Sequence, residues 1–289
     1  MKAYFKGWYF KQSEGHISLA LIPSYHIDRY KNKYSSVQII TNQHTLILKY
    51  PYEEMCICKD KIVVANNIFS AYGIRFKSKD PAVDIDLNYG EFKTLESNIM
   101  GPFKYVPFMQ CRHDVISVYH KVSGRAVINS EEIIFSDGSG YIESDSGTSF
   151  PKTYLWTQCS YFDKAPCSLM LSVADIPFII DSFTGCILFI YHQGRHYRLA
   201  TYNGAKMLEF NEKRVQIAGK NMSFTAELIK KNDKKLLAPV MGELIKPIHE
   251  SICSTVRYRF IKDNKTVFDF VNDNSSYEYV KTDEKAPLL

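Results

Sequence analysis

Gly140-Tyr-Ile-Glu-Ser-Asp-Ser-Gly-Thr-Ser-Phe-Pro-Lys-Thr-Tyr-Leu-Trp-Thr-Gln158 decides how this chain is read. Two runs alternate at period two on either side of a turn at 147–151, so the stretch reads as two β-strands. Tyr141, Glu143 and Asp145 project from one face of the first, and Tyr154, Trp156 and Gln158 share a face of the second. Strands that only fill a core carry Val and Ile there, whereas carboxylates, aromatics and an amide at this density suggest a pocket wall.

Outward from that stretch the alternation recurs at 4–11, 17–22, 37–41, 45–50, 61–65, 72–77 and 83–89. It returns at 117–128, 167–174, 186–192, 195–202, 214–217, 223–229, 256–260 and 267–270. Asp137-Gly138, Asn203-Gly204 and Lys262-Asp-Asn-Lys265 supply turn chemistry between strands. Helical spacing is confined to 244–251, where Ile245, Ile248 and Ile252 hint at a short helix that Pro247 weakens. The long apolar segment 92–112 reads as either a lid over a pocket or a linker.

So many strands without intervening helices call for barrels or sandwiches, and there are too many for one small barrel. The 289 residues allow two domains, and 14% aromatics, with 20 Tyr and 18 Phe, favour sheet. The expected division is an N-terminal barrel at 1–145, a C-terminal barrel at 146–281, with strands open to exchange between them, and a frayed tail at 282–289. A net charge of +5 is too mild for a nucleic-acid stripe, and the Lys clusters read as solvated turns.

Seven cysteines cannot all pair, and none has zinc spacing. Cys56-Ile-Cys58 places both thiols on one strand face, but two ligands do not close a metal site. The start of the chain lacks the apolar segment of a secretory signal, and no stretch approaches the roughly 20 apolar residues that span a bilayer. A cytoplasmic protein with no nucleic-acid partner and no membrane span is expected, with peripheral membrane contact only to collect a substrate.

A set of motifs in fixed order carries a resemblance. It comprises Gly7-Trp-Tyr-Phe-Lys11, Gly101-Pro-Phe103, Pro107-Phe-Met-Gln-Cys-Arg-His113, Ser117-Val-Tyr-His120 with Gly124, the 140–158 stretch, Ser172-Val-Ala-Asp-Ile-Pro177, Ala200-Thr-Tyr202, Ala238-Pro-Val-Met-Gly242 and Glu250-Ser251. Together they resemble the tocopherol cyclase family. The resemblance implies an all-β fold of two lipocalin-like antiparallel β-barrels packed together with few short helices. It also implies cyclisation of a prenylated phenol or quinol, without fixing the substrate here. The chain departs from the family pattern at Gln110, where Glu is usual and where an amide cannot act as an acid, and at Ser146, where Trp or Arg is common.

Such a cyclisation needs a proton for the alkene, a cavity that excludes water from the cation, and a group that steers the phenol. It requires no metal or redox cofactor. Burial in a barrel interior raises the pKa of a carboxyl enough for it to act as an acid, and aromatic faces stabilise the cation. Asp145 and Glu143 are the candidate acids and His120 the steering or relay group. Trp8, Tyr9, Tyr141, Tyr154, Trp156, Gln158, Gln110 and His113 are the candidate contacts to an apolar small molecule.

Each has a plainer reading. Asp145 caps the turn at Gly147, His120 is a hydrogen-bonded core residue, Trp8 plugs a barrel end, and His113 is a surface residue near the loop, not a metal ligand. No Gly-x-Ser-x-Gly elbow supports a hydrolase. The competing function is a carrier that holds an apolar ligand without turning it over.

Overall fold

The structure, a computed structural model, describes residues 2–106, 109–161, 166–178, 181–232 and 234–281. The expected frayed tail and two residues of a quoted motif, Pro107 and Phe108, lie outside them. The chain divides into two compact units. The N-terminal unit is Met1–Asn98, Cys111–Ser149 and Leu236–Lys246; the C-terminal unit is Ile99–Gln110, Phe150–Lys235 and Pro247–Leu289.

The first sheet is built from β1 (Tyr4–Glu14), β2 (Ile17–Ile27), β3 (Lys33–Thr41), β4 (Thr45–Pro51), β5 (Met55–Ile57), β6 (Lys61–Val64), β7 (Asn67–Ser70), β8 (Gly73–Ser78), β9 (Val83–Tyr89), β10 (Cys111–Ile128) and β11 (Glu131–Gly147). Its order, β4-β3-β2-β1-β11-β10-β9-β8-β7-β6-β5, is a meander in which β11 returns to pair with β1. Neighbours are antiparallel, and the sheet forms a nearly closed barrel. Trp8, Phe10, Leu21, Val37, Phe69, Phe76, Leu87 and Ile142 pack in its core.

The second sheet contains β12 (Thr153–Tyr161), β13 (Cys167–Phe178), β14 (Asp181–His192), β15 (Arg195–Ala200), β16 (Lys206–Phe210), β17 (Arg214–Gly219), β18 (Met222–Lys230), β19 (Lys234–Val240), β20 (Glu243–Lys262) and β21 (Lys265–Lys281). The order is β15-β14-β13-β12-β21-β20-β18-β17-β16, with β19 paired to β20, and this sheet also nearly closes on itself. Leu155, Leu171, Leu188, Phe224, Tyr258, Phe260 and Tyr277 fill its interior. The chain is all-β, as its alternation implies; the helices among the described residues are short 3-10 turns at Tyr52–Glu54, Gly101–Tyr105 and Thr201–Asn203.

Two local expectations are corrected. The short helix at 244–251 is instead the start of β20. Leu244, Ile248 and Ile252 are buried while Ile245 is 50% exposed, and a spacing of four is even, so it fits a strand face as well as a helix face. Asp137-Gly138 is not a turn but lies inside β11, where Gly138 is paired with Val122. By contrast, Gly204 closes a turn in a left-handed conformation at φ 88°, and Asp263 and Asn264 form the left-handed hairpin between β20 and β21. The strands β5, β7, β16 and β19 are too short or too polar to stand out in the sequence.

Segment 99–110 belongs to the C-terminal unit. Ile99 and Met100 are buried there, and Tyr202 donates its hydroxyl to the Ile99 carbonyl at 2.9 Å. The tyrosine ring lies against Gly101, where a Cβ would come within 2.7 Å of it. Residues 236–246, in turn, strap the N-terminal unit. Gln38 exchanges two 3.2 Å hydrogen bonds with the Leu237 backbone, and the Leu244 amide donates to the Tyr34 hydroxyl at 2.8 Å. His26, stacked on Tyr34, faces the Gly242 carbonyl at 3.2 Å through Nδ1. That carbonyl can only accept, so Nδ1 carries the proton and Nε2 accepts from Ser24 at 2.9 Å.

Candidate active site

Where β1 and β11 pair, residues 8–13 and 140–143 are buried on both faces of the sheet, and this decides where the chemistry sits. Ile142 points into the barrel core, so Tyr141, Glu143 and Asp145 occupy the opposite face of the sheet. Register places Tyr9 and Val115 beside Glu143, Gly7 and His113 beside Asp145, and Lys11 beside Tyr141. Glu143 is 4% exposed and Lys11 2%. The expectation that a barrel interior encloses the carboxylates is therefore replaced: they lie on the other side of the barrel wall, where Glu143 is buried and the Asp145 side chain is 22% exposed.

His113 is the centre of this face. Its Nδ1 stands 2.9 Å from Asp145 Oδ1, and its Nε2 is 3.4 Å from Glu143 Oε2. The first contact is a hydrogen bond. The second is near enough for Coulombic attraction but is not aligned for hydrogen bonding. Tyr141 donates its hydroxyl to Glu143 Oε2 at 2.5 Å, and the Cys111 thiol lies 3.6 Å from Asp145 Oδ1.

Burial by itself pushes the His113 pKa down, but Glu143 and then Asp145 outweigh it and hold the imidazole at about 9. The ring is therefore an imidazolium at neutral pH. Burial first, and the carboxylate charges second, push the Cys111 thiol well above its ordinary range; for Tyr141 it is burial and then Glu143. Two acceptors thus hold one proton on an imidazole, with a phenol bonded to one of them.

The reading of His113 as a surface residue is corrected, since its side chain is only 11% exposed. Donor atoms of His113, Glu143 and Asp145 all lie within 4.8 Å of one another, so these three could also hold a divalent cation.

His120 does not join this group. Its strand partner is Gly140, two residues from Ile142 on the core face, and it is fully buried between Tyr89 and Phe92 at ring distances of 4.4 and 4.6 Å. Ser117 Oγ donates to the Tyr119 carbonyl and lies 2.9 Å from His120 Nδ1, so Nδ1 carries the ring proton. Burial lowers its pKa to about 3. A neutral core imidazole cannot relay a proton to carboxylates on the opposite face. Gly140 permits the packing, because a Cβ there would lie 2.1 Å from His120 Nε2. Trp8 also packs in the core, while Tyr9, its neighbour, faces the Glu143 side.

The second run of the 140–158 stretch belongs to the C-terminal unit. There Leu155 and Cys159 fill the core, and Thr157 Oγ1 lies 2.6 Å from the Tyr258 hydroxyl. Tyr154, Trp156 and Gln158 consequently share the opposite face and are buried. Tyr154 donates its hydroxyl to Glu278, a buried carboxylate beside Trp156 in register. Gln158 donates Nε2 to Ser160 at 3.1 Å, and its Oε1 has no partner among the described residues. Gln110 is half-buried at the end of segment 99–110.

Sequence reasoning passed over Lys11, Cys111 and Glu278. Lys11 was findable, two residues beyond Tyr9 and so on its face. For Glu278, between two tyrosines on a strand, the sequence carries no such signal.

No helix among the described residues is long and apolar enough to cross a membrane. No curated protein matches the chain. Among solved structures, CghA, solved with Sch210972, is similar with a TM-score of 0.58 at 8% identity, over 96% of this chain and 89% of that one. A Nitrosomonas europaea protein assigned as AttH is similar with a TM-score of 0.56 at 8% identity, over 96% and 92%. At that identity the likeness shows the fold alone. Residues 80–279, well over half of the chain, match the family model described as tocopherol cyclase-like, and the chain belongs to that family.

Proposed function

We propose that this protein is an isomerase that closes a ring within an apolar, unsaturated small molecule by acid catalysis, with His113, Glu143 and Asp145 as its acid. The substrate class is a prenylated phenol or quinol or a related polyene. The observation that carries the reading is the buried imidazolium held between two carboxylates, with Tyr141 bonded to Glu143. Membership of the family supports the reaction type, and CghA having been solved with Sch210972 supports a fold that takes a ligand.

Magnitudes assign the roles. An imidazolium with a pKa of about 9 is a strong hydrogen-bond donor but a weak acid. Ring closure forms a C–H bond at an alkene carbon and a C–O bond to the phenol oxygen, and it releases the phenol proton. His113 supplies the first proton and a carboxylate of Glu143 or Asp145 accepts the second, so the site ends in its starting protonation state. Glu143 and Asp145 hold the proton and take back the charge as the ring closes, and the faces of Tyr9 and Tyr141 stabilise positive charge on the substrate. The proton is returned and no electrons are exchanged, so the stoichiometry calls for no cofactor.

The test is incubation with prenylated phenols, quinols and polyenes, followed by chromatography and mass measurement. A product of unchanged mass with one carbon–carbon double bond fewer, lost in His113→Gln while ligand still binds, supports the enzyme. Binding without turnover by the unaltered protein moves the reading to the carrier, which Gln110 in place of the usual Glu favours.

A further inference from the structure

Cysteine is among the most buried residue types, and exposed pairs of it are uncommon. Here Cys159, Cys167, Cys186 and Cys253 are buried and Cys111 is half-buried, whereas Cys56 and Cys58 are both exposed. Their sulfurs lie 3.6 Å apart. Both sit on the β5–β6 hairpin at the open end of the first sheet: Cys56 pairs with Val63, and the Cys58 amide donates to the Lys61 carbonyl at 2.8 Å. Among the described residues no strand pairs with the other side of β5, so the hairpin can adjust its twist without breaking a ladder.

We propose that Cys56 and Cys58 form a reversible dithiol–disulfide site that exchanges with low-molecular-weight disulfides, independently of the His113 face. Cys56 lies in β5 and Cys58 just beyond its end, with the sulfurs 3.6 Å apart against about 2.05 Å in a disulfide. The bridge therefore requires the hairpin end to tighten and is strained, and strained, exposed disulfides are the readily reduced ones. The hydrogen bond to Cys56 leads the causes that push the Cys58 thiol up. Because the two sulfurs face each other across 3.6 Å, whichever thiol attacks first has the other beside it to resolve the mixed disulfide.

The exchange balances in two displacements. The thiolate of one cysteine of the pair attacks one sulfur of a small disulfide, forming a mixed disulfide and expelling one thiolate. The other cysteine then gives its proton to solvent and attacks the first cysteine's sulfur, expelling the second. Two protein thiols are oxidised to one disulfide while the small disulfide is reduced to two thiols.

The full chain is equilibrated with oxidised and reduced glutathione at graded ratios, quenched with an alkylating reagent and digested with trypsin. One peptide, residues 50–59, contains both cysteines and no other. The expected result is loss of two hydrogens from that peptide, reversed by dithiothreitol, at ratios that leave the other five cysteines alkylated. Cys58→Ser should hold a single glutathione on Cys56, and Cys56→Ser a single one on Cys58. Full alkylation of both thiols at every ratio, or separate glutathione adducts on both without an internal bridge, overturns the proposal. Neither outcome bears on cyclisation, which the His113 variants test.

Discussion

His113 Nδ1 lies 2.9 Å from Asp145 Oδ1, across a strand pair in which these two residues stand directly opposite each other. Register alone brings the imidazole to the carboxylate. Glu143, two residues along β11, then reaches the other ring nitrogen from the same face. The arrangement is therefore fixed by backbone pairing, with little left to side-chain choice, and it makes specific predictions.

The His113 imidazole should titrate near pH 9 in an NMR pH titration of the histidine side chains. Glu143→Gln removes one charge and should lower that value by about one to two units. Because the folded pKa lies above the unfolded value, this group's stabilisation is fully present below about pH 6.5 and is lost as pH rises through 9. It amounts to about 3 kcal/mol. An unshifted resonance in Glu143→Gln would mean that the carboxylate is not what holds the proton.

Acid should act in the opposite direction through His26 and His120. Burial holds them at about 4 and about 3, so both stay neutral in the folded chain after their unfolded counterparts have charged. Stability contributed by their neutrality is present above about pH 6.5 and falls away as pH drops towards 4, by up to ~3 kcal/mol for each. Denaturant melts at pH 7 and pH 4.5 should show a smaller acid loss in the His26→Asn, His120→Asn double variant than in the unaltered chain.

Gly140→Ala should destabilise the N-terminal unit by about 2–4 kcal/mol, because the new methyl has to displace the His120 ring. In a His120→Ala background most of that cost should vanish. A double-mutant cycle by chemical denaturation reads the coupling directly, and equal costs in both backgrounds would remove the steric account.

Ile248→Lys should unfold or strongly destabilise the C-terminal unit, by more than about 3 kcal/mol, while Ile245→Lys should stay within ~0.5 kcal/mol. The first side chain is 5% exposed and the second 50%. A helix over this segment would make the two substitutions comparable, so thermal melts of the pair distinguish the two conformations.

Much of the fold was legible because an alternating strand needs only its own residues to declare itself. The run at 83–89 reappears as β9 unchanged, since apolar and polar side chains there alternate without interruption, and the run at 45–50 reappears as β4. Where the code is ambiguous the reading slipped. The 244, 248 and 252 positions satisfy both periods, and Asp137-Gly138 carries turn chemistry inside a strand that does not turn. His113 was undervalued because its proximity to a loop says nothing about the strand that pairs with it.

The sequence by itself determined that this chain is all-β, that its strands outnumber one small barrel, and that Tyr141, Glu143 and Asp145 share a face. Period two fixes which residues lie together but not which of the two faces is the core. Only the tertiary structure decided that, because residues 8–13 of β1 and 140–143 of β11 are buried on both sides and an apolar face and a polar one can each be shut away from water. Pairing between strands distant in sequence then brought His113 to the carboxylates and kept His120 from them.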